Sequence, residues 1–257
     1  MLSLLKADLY RILKSKLTYI LLAIVTLLPI LTCLLYFGID SIVMAGLSEE
    51  DQALLSLFNA KILITSSFSL SNNCGLVIPI FAGIFICMDI TSGTLRNKII
   101  CGNSRLAIYL SHLITATIFN VVMILVYFFS TVGFSLLFFD YGVPFDAEEF
   151  KYLMKVVVLG ILSFMFIASI STFFAMSMKN LAPTIIFTIV FGIFLSLVTT
   201  IVSILDFEKY RYFLLLIPTF GNSILTTLGN VLDLGSFLES IFSYVLFIFL
   251  NTFLGYL

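Results

Sequence analysis

Few side chains of this sequence could carry out chemistry, and their spacing does not assemble a known kind of active site. The single histidine, His112, stands at the start of an apolar stretch, and a lone histidine cannot form a zinc site without carboxylate or thiol partners. We interpret it as an interfacial or packing residue. The adjacent pair Glu148–Glu149 lacks metal-ligand spacing and is interpreted as solvated charge. The sequence contains neither HExxH nor GxSxG, and no phosphate-binding loop GxxxxGKS or GxxxxGKT. We therefore predict no catalytic residue, no metal site and no cofactor in this chain.

The composition indicates which solvent surrounds the chain. Of the 257 residues, 61% are apolar and 11% are charged, whereas ordinary soluble domains carry about 25% charged residues. So few charges cannot cover the surface of a soluble protein of this size. This excludes a soluble enzyme, a disordered chain and a nucleic-acid-binding protein. We expect lipid as the solvent, and at about 20 apolar residues per span the length allows roughly six spans.

The predicted fold class is all-α integral membrane, with six transmembrane helices in one domain over residues 1–257. The predicted spans are about 17–37, 66–88, 112–137, 156–178, 184–205 and 237–256. Residues 206–236 are too interrupted for a comfortable span. We expect there a broken extracellular re-entrant hairpin, shielded by protein and hinged at Pro218, Gly221 and Asn222.

Residues 1–16 precede any span and are predicted to form an amphipathic elbow helix. The residues that share its apolar arc are Leu2, Leu5, Leu9, Ile12 and Leu13. The opposite, polar face carries Ser3, Asp8, Arg11, Lys14 and Ser15. A helix with one apolar face and one basic face typically lies in the plane of the membrane surface.

The distribution of charge orients the chain. With a cytoplasmic amino terminus, the inner segments carry eight Lys or Arg against two Asp, a net charge of +6. The outer segments then carry five positive residues against twelve Asp or Glu, a net charge of −7. Because loops rich in Lys and Arg stay in the cytoplasm, we predict a multi-pass membrane protein with both termini inside.

The polar segment 89–105 is predicted to contain a short helix over residues 94–101. Gly93 can start it and Gly102 can end it. Leu95, Ile99 and Ile100 line one side, with Arg96 and Lys98 elsewhere on the surface. Such a helix is suited to dock into a groove of another protein. The other interpretation, a basic loop that only sets topology, stays open at this point.

This segment resembles the permease subunits of ABC type-2 exporters. An acidic residue at the end of the second span precedes SGTLRxKxxxGxSR, and the third span follows. The elbow helix, six spans and broken hairpin extend the resemblance over the whole chain. Size and charge layout are similar to the small permeases of bacteriocin or lantibiotic immunity and antimicrobial-peptide resistance transporters.

The resemblance implies that the 89–105 segment holds the coupling helix, which contacts a separate ABC ATPase subunit. The matching positions are Asp89, Gly93, Thr94, Leu95, Arg96, Lys98, Ile99, Gly102, Ser104 and Arg105. It further implies a second permease chain, the same or different, and ATP and magnesium bound by the ATPase.

The implied function is export of a peptide or lipid-like substrate, in a bacterial plasma membrane. The other hypothesis is an ATP-independent secondary transporter or channel. The interiors of the predicted spans hold essentially no Asp, Glu, Lys or Arg, which argues against a proton relay. An intramembrane enzyme is the weakest hypothesis, because no paired His and Glu lie within the spans.

Overall fold

The computed structural model describes residues 2–44, 59–69, 73–142, 144–204, 222 and 234–256, and their regular structure is α-helical throughout. The helices are α1 Leu2–Lys14, α2 Lys16–Met44, α3 Ala60–Ser66, α4 Asn73–Thr91, α5 Thr94–Ile100, α6 Arg105–Phe138, α7 Ala147–Met178, α8 Leu181–Ile204 and α9 Leu234–Tyr256.

Five of these helices are long and apolar enough to cross a membrane. They are α2, α6, α7, α8 and α9. The second predicted span, 66–88, has not been confirmed as a span. The helix starts later than predicted, because α3 ends at Ser66, a turn follows, and α4 covers Asn73–Thr91. The sixth span therefore stays a prediction.

Two helices start at least seven residues before their predicted spans. The hydroxyl oxygen of Ser104 accepts a hydrogen bond from the backbone nitrogen of Ala107 at 3.2 Å, and this cap starts α6 at Arg105 rather than at residue 112. α7 starts at Ala147, nine residues before the predicted position 156. Its first turn carries Glu148 and Glu149, and negative side chains stabilise a helix at its amino-terminal end.

α7 is the central helix of the bundle. It packs against α4, α6, α8 and α9. In the apolar stretch of α7, 56% of the residues are buried, compared with 17–28% in the other four candidate spans. A hydrogen bond between the hydroxyl groups of Ser163 and Tyr244, both fully buried, joins α7 to α9. The spans α6, α8 and α9 pack around α7, whereas α2 packs against α6, and these four spans expose most of their apolar surface.

α1, α5, the start of α6 and the end of α7 lie at one end of the bundle, which we call the basic end. The loop residues 139–142 and 144–146, α3 and the start of α7 lie at the other, the acidic end. The charge bias predicts that the basic end is cytoplasmic.

One predicted hinge residue lies within the described part of the chain. Asn222 is buried, and its amide nitrogen donates a hydrogen bond to the carbonyl oxygen of Phe68 at 2.8 Å. Pro218 and Gly221, and nearly all of the predicted hairpin 206–236, lie outside the described residues.

Close contact with a glycine positions Phe68. The ring and Cβ of Phe68, which is fully buried, lie where a side chain at Gly160 of α7 would have to be. Gly133 of α6, by contrast, has open space where its side chain would be.

We therefore expect Gly160→Ala to destabilise the bundle by about 1–3 kcal/mol, because the added methyl group must displace Phe68. Gly133→Ala is the matched control and should leave stability unchanged or slightly higher. Thermal unfolding of the purified protein in detergent measures both. Equal midpoints for the two variants would contradict the contact.

Candidate functional site

The strongest concentration of buried charge lies at the basic end. We call Asp8, Arg11, Asp89, Lys98 and His112 the charge cluster. Asp89 is fully buried, and Asp8 and His112 are 2% and 3% exposed. Charged side chains are almost never buried to this degree unless they are paired.

Two cations pair with the two carboxylates. The ammonium nitrogen of Lys98 lies 2.6 Å from Oδ1 of Asp8 and 3.2 Å from Oδ2 of Asp89. The guanidinium group of Arg11 binds the other carboxylate oxygen of Asp89. Because two positive and two negative charges meet there, the cluster carries no net charge apart from His112.

Burial lowers the pKa of Arg11, and the negative charge of Asp8 opposes this shift. A guanidinium group still stays protonated, because its ordinary pKa lies above 12.

The cluster joins four helices. Asp8 and Arg11 come from α1, Asp89 from the end of α4, and Lys98 from α5. From α6, the hydroxyl group of Ser111 donates a hydrogen bond to Oδ2 of Asp8 at 2.9 Å. His112, one residue further on, has its Nε2 atom 3.6 Å from Oδ2 of Asp89.

The local sequence explains how α5 reaches the cluster. Gly93 adopts a left-handed conformation with φ of 73°, and Gly102 does so after the helix with φ of 81°. Residues other than glycine rarely adopt such backbone angles. The hydroxyl group of Thr94 donates to Asp89, lying 2.6 Å from Oδ1 and 2.9 Å from the carbonyl oxygen. The two turns thus hold α5 against the end of α4.

Three cluster residues have the donor atoms of a metal site. Oxygen or nitrogen atoms of Asp8, Asp89 and His112 lie within 4.8 Å of one another. However, Lys98 and Arg11 already pair with both carboxylates, and a metal ion would have to displace them. The arrangement therefore fits a structural ion-pair network better than a metal centre.

The structure separates the predicted contact residues into three groups. Asp89 is buried and the side chain of Lys98 is only 14% exposed, so these two position α5 and do not present charge to a partner. Thr94 and Leu95 are half-buried. The exposed predicted positions are Arg96, Ile99, Gly102, Ser104 and Arg105. Ile100, which was predicted only to line one side of the helix, is exposed as well, and we call Arg96, Ile99, Ile100 and Arg105 the α5 surface.

α1 occupies the segment predicted as the elbow helix, but its buried face differs from the predicted apolar arc. Leu4, Asp8 and Ile12, spaced one turn apart, face the bundle. The placement of Asp8 on a solvent-facing polar side is therefore wrong.

Leu13 is 63% exposed, and Leu5 and Leu9 are half-buried. The side chain of Leu2 lies outside the described residues. One feature of the sequence indicated that Asp8 is buried: Leu4 and Ile12, one helical turn before and after it on the same face, are both apolar.

A second ion pair lies at the acidic end, and it corrects the interpretation of Glu149. The carboxylate of Glu149 is only 12% exposed; it binds the ammonium group of Lys61 at 2.9 Å and accepts a hydrogen bond from the Tyr141 hydroxyl at 3.0 Å. Burial and the neighbouring Glu149 raise the pKa of Tyr141. Glu148 is exposed, as predicted. Sequence alone missed the pair because Lys61 and Glu149 are 88 residues apart.

We expect Lys98→Met to destabilise the protein by about 3–5 kcal/mol, because it leaves a buried carboxylate unpaired. Adding Asp8→Asn makes the charge cluster neutral again. The double variant should therefore lose less stability than the sum of the losses of the two single variants. Arg96→Met is the matched control on the exposed side of α5 and should change stability by less than about 0.5 kcal/mol. Denaturant or thermal unfolding in detergent measures all of them. Strictly additive losses would contradict the coupled cluster.

Comparison with known proteins adds an independent finding. A family model described as ABC-2 family transporter protein matches residues 4–196, which include the whole charge cluster and α5. No curated protein matches the sequence closely enough to be called a relative. Since the family model covers most of the chain, the protein belongs to the ABC-2 transporter family and is the membrane-spanning permease subunit of an ABC transporter.

Proposed function

We propose that this permease works in an ATP-driven exporter, and that α5 is the coupling helix that receives movement from a separate ATPase subunit. The observation that carries the proposal is the α5 surface, a set of exposed apolar and basic side chains on α5 and at the start of α6, next to the buried ion pairs by which Lys98 joins α5 to α1 and α4. ATP and magnesium would be bound by the ATPase, since this sequence lacks a phosphate-binding loop.

The composition of the α5 surface suits a protein partner. Ile99 is 43% exposed and Ile100 is 72% exposed, and both lie outside the candidate spans. Burying an isoleucine side chain stabilises a complex by roughly 1.5–3 kcal/mol. Arg96 on α5 and Arg105 at the start of α6 are exposed as well, and their fixed positive charges favour acidic groups on the partner.

The charge cluster supplies the mechanical connection. Separating a buried ion pair costs about 3–5 kcal/mol, so a force on α5 would move α1, α4 and α6 with it before α5 detached. In the proposed cycle, ATP hydrolysis draws the α5 helices of two permease chains, identical or different, towards each other. The attached spans then tilt, and a pathway between the two permeases opens outward.

For the cargo we propose an antimicrobial peptide or another amphipathic or lipid-linked molecule. The segments assigned to the outside carry a net charge of −7, which would attract cationic peptides by electrostatic steering. The resemblance to bacteriocin and lantibiotic immunity permeases points the same way. We place the protein in a bacterial plasma membrane with both termini in the cytoplasm.

We expect Ile100→Asp and Arg96→Glu to abolish co-purification of the ATPase and the ATP hydrolysis that depends on it, while membrane insertion stays normal. Lys179→Glu is the control for the charge reversal, because Lys179 is also exposed at the basic end. The assay uses affinity-tagged permease from detergent-solubilised membranes, mass spectrometry to identify a subunit with a phosphate-binding loop, and a hydrolysis measurement.

Retention of the ATPase in both α5 variants would overturn the coupling assignment. If wild-type protein retained no ATPase and transport followed an ion gradient, the secondary-transporter hypothesis would replace the proposal.

We expect cells that express the transporter to tolerate a higher concentration of a cationic amphipathic peptide than cells that lack it. Growth inhibition by a peptide panel measures this, with the Ile100→Asp variant as a transporter uncoupled from its motor. Equal sensitivity of all three strains to every peptide would count against a peptide cargo.

A further inference from the structure

A small cavity lies beside the charge cluster, between α1, α4 and α6. The space in it that a water-sized molecule can occupy is about 10 Å³. One buried water molecule needs at least roughly 10–15 Å³ of such space. The polar residues that line the cavity are Asp8, Arg11, His112 and Thr115. The cavity therefore has room for one water molecule among four polar side chains.

His112 brings an unpaired nitrogen atom to these surroundings. The residue is 3% exposed, and its Nε2 atom has no hydrogen-bond partner among the described residues. Oδ2 of Asp89, at 3.6 Å, is too distant for a hydrogen bond and already faces Lys98. Buried polar atoms nearly always have a partner, because a missing hydrogen bond is costly away from water. The imidazole therefore needs a partner that the described side chains do not supply.

The charge balance of the cluster favours a neutral ligand. Asp8 is paired with Lys98, and Asp89 is paired with both Lys98 and Arg11. An added cation would have to displace one of these partners, and an added anion would meet two buried carboxylates. A water molecule adds no charge, and it can both donate and accept hydrogen bonds.

Water has a short route to this cavity from the basic end. A second, open cavity of about 160 Å³ is lined by Arg11, Phe85, Met88 and Ser92, among others. Met88 and Ser92 are exposed. The two cavities share Arg11 and Phe85 as lining residues, so they are neighbours. Only these two shared side chains stand between the open cavity and the one beside His112.

We propose that one ordered water molecule occupies the small cavity and bridges Nε2 of His112 on α6 to Asp8 and Arg11 on α1. A carboxylate oxygen accepts from water, and a guanidinium group has donors to spare beyond its contact with Asp89. These groups supply the two to four partners that a buried water molecule requires. The water joins α6 to α1 beside the ion pairs, and this role does not depend on an ATPase.

His112 is the only histidine in the sequence, which permits a direct test. Protein produced with histidine labelled in its ring with nitrogen-15 gives imidazole signals from this one side chain. In bilayers, solid-state NMR measures how fast magnetisation passes from water to the labelled ring. We expect fast transfer although the ring is buried, because the bound water is in contact with it.

Variants that fill the cavity provide the comparison. Ala116, which lines the cavity from α6, is 3% exposed, so Ala116→Val should abolish the fast transfer by occupying the space of the water. Ala82→Val fills the same cavity from α4 and replaces the first variant if that one does not insert. Gly133→Ala is the matched control, because its added methyl group meets open space, and it should transfer like the wild type.

Thermal unfolding gives a second measurement. Filling the cavity leaves Nε2 unpaired only where His112 is present. Ala116→Val should therefore lower the unfolding midpoint more in the wild type than in the His112→Leu background.

Slow transfer in the wild type would overturn the proposal, and so would fast transfer that the valine variants leave unchanged. Equal losses of midpoint in the two backgrounds would also contradict it. A change in the ring nitrogen signals on addition of Zn²⁺ would instead assign the donor atoms of Asp8, Asp89 and His112 to a metal ion. Loss of ATPase coupling with normal transfer would contradict only the proposed transport function, so the two failures are distinguishable.

Discussion

The basic end of this protein depends on one constraint, the cost of burying carboxylates without a counter-charge. Asp8 and Asp89 are out of contact with water, and an unpaired buried charge costs several kcal/mol. Their cations, Arg11 and Lys98, come from two different helices, and the two carboxylates come from α1 and α4. The positions of α1, α4 and α5 are therefore interdependent. The exposed α5 surface lies where it does because Lys98, on the same short helix, points inward.

The interior of the bundle is held by weaker contacts. Hydrogen bonds between spans, such as that between Ser163 and Tyr244, contribute about 0.6 kcal/mol on average in membrane proteins. Apolar packing around α7 adds to these bonds, and the close approach of Phe68 to Gly160 is part of it. The helices at the basic end are thus joined by buried ion pairs, whereas the spans are joined by hydrogen bonds and apolar packing.

The acidic end uses the same kind of contact on a smaller scale. One ion pair, between Lys61 and Glu149, attaches α3 to the start of α7. The side chain of Glu149 is only 12% exposed, so a lysine again neutralises a carboxylate that has lost most of its contact with water. The charge cluster joins four helices in this way, and the Lys61–Glu149 pair joins two.

Composition and local pattern by themselves determined the solvent, the all-helical fold and the family, since these depend on the number, spacing and order of residues. Short-range signals also placed helices in segments 1–16 and 89–105, because capping residues and periodicity act within one or two turns. Only the tertiary structure decided which side of each helix is buried. The partners of Asp8, Asp89 and Glu149 include residues 90, 9 and 88 positions away, and no local pattern encodes such pairs. Lys98 was therefore predicted to contact a partner, whereas three-dimensional packing turns it inward and leaves Ile99, Ile100 and Arg96 exposed.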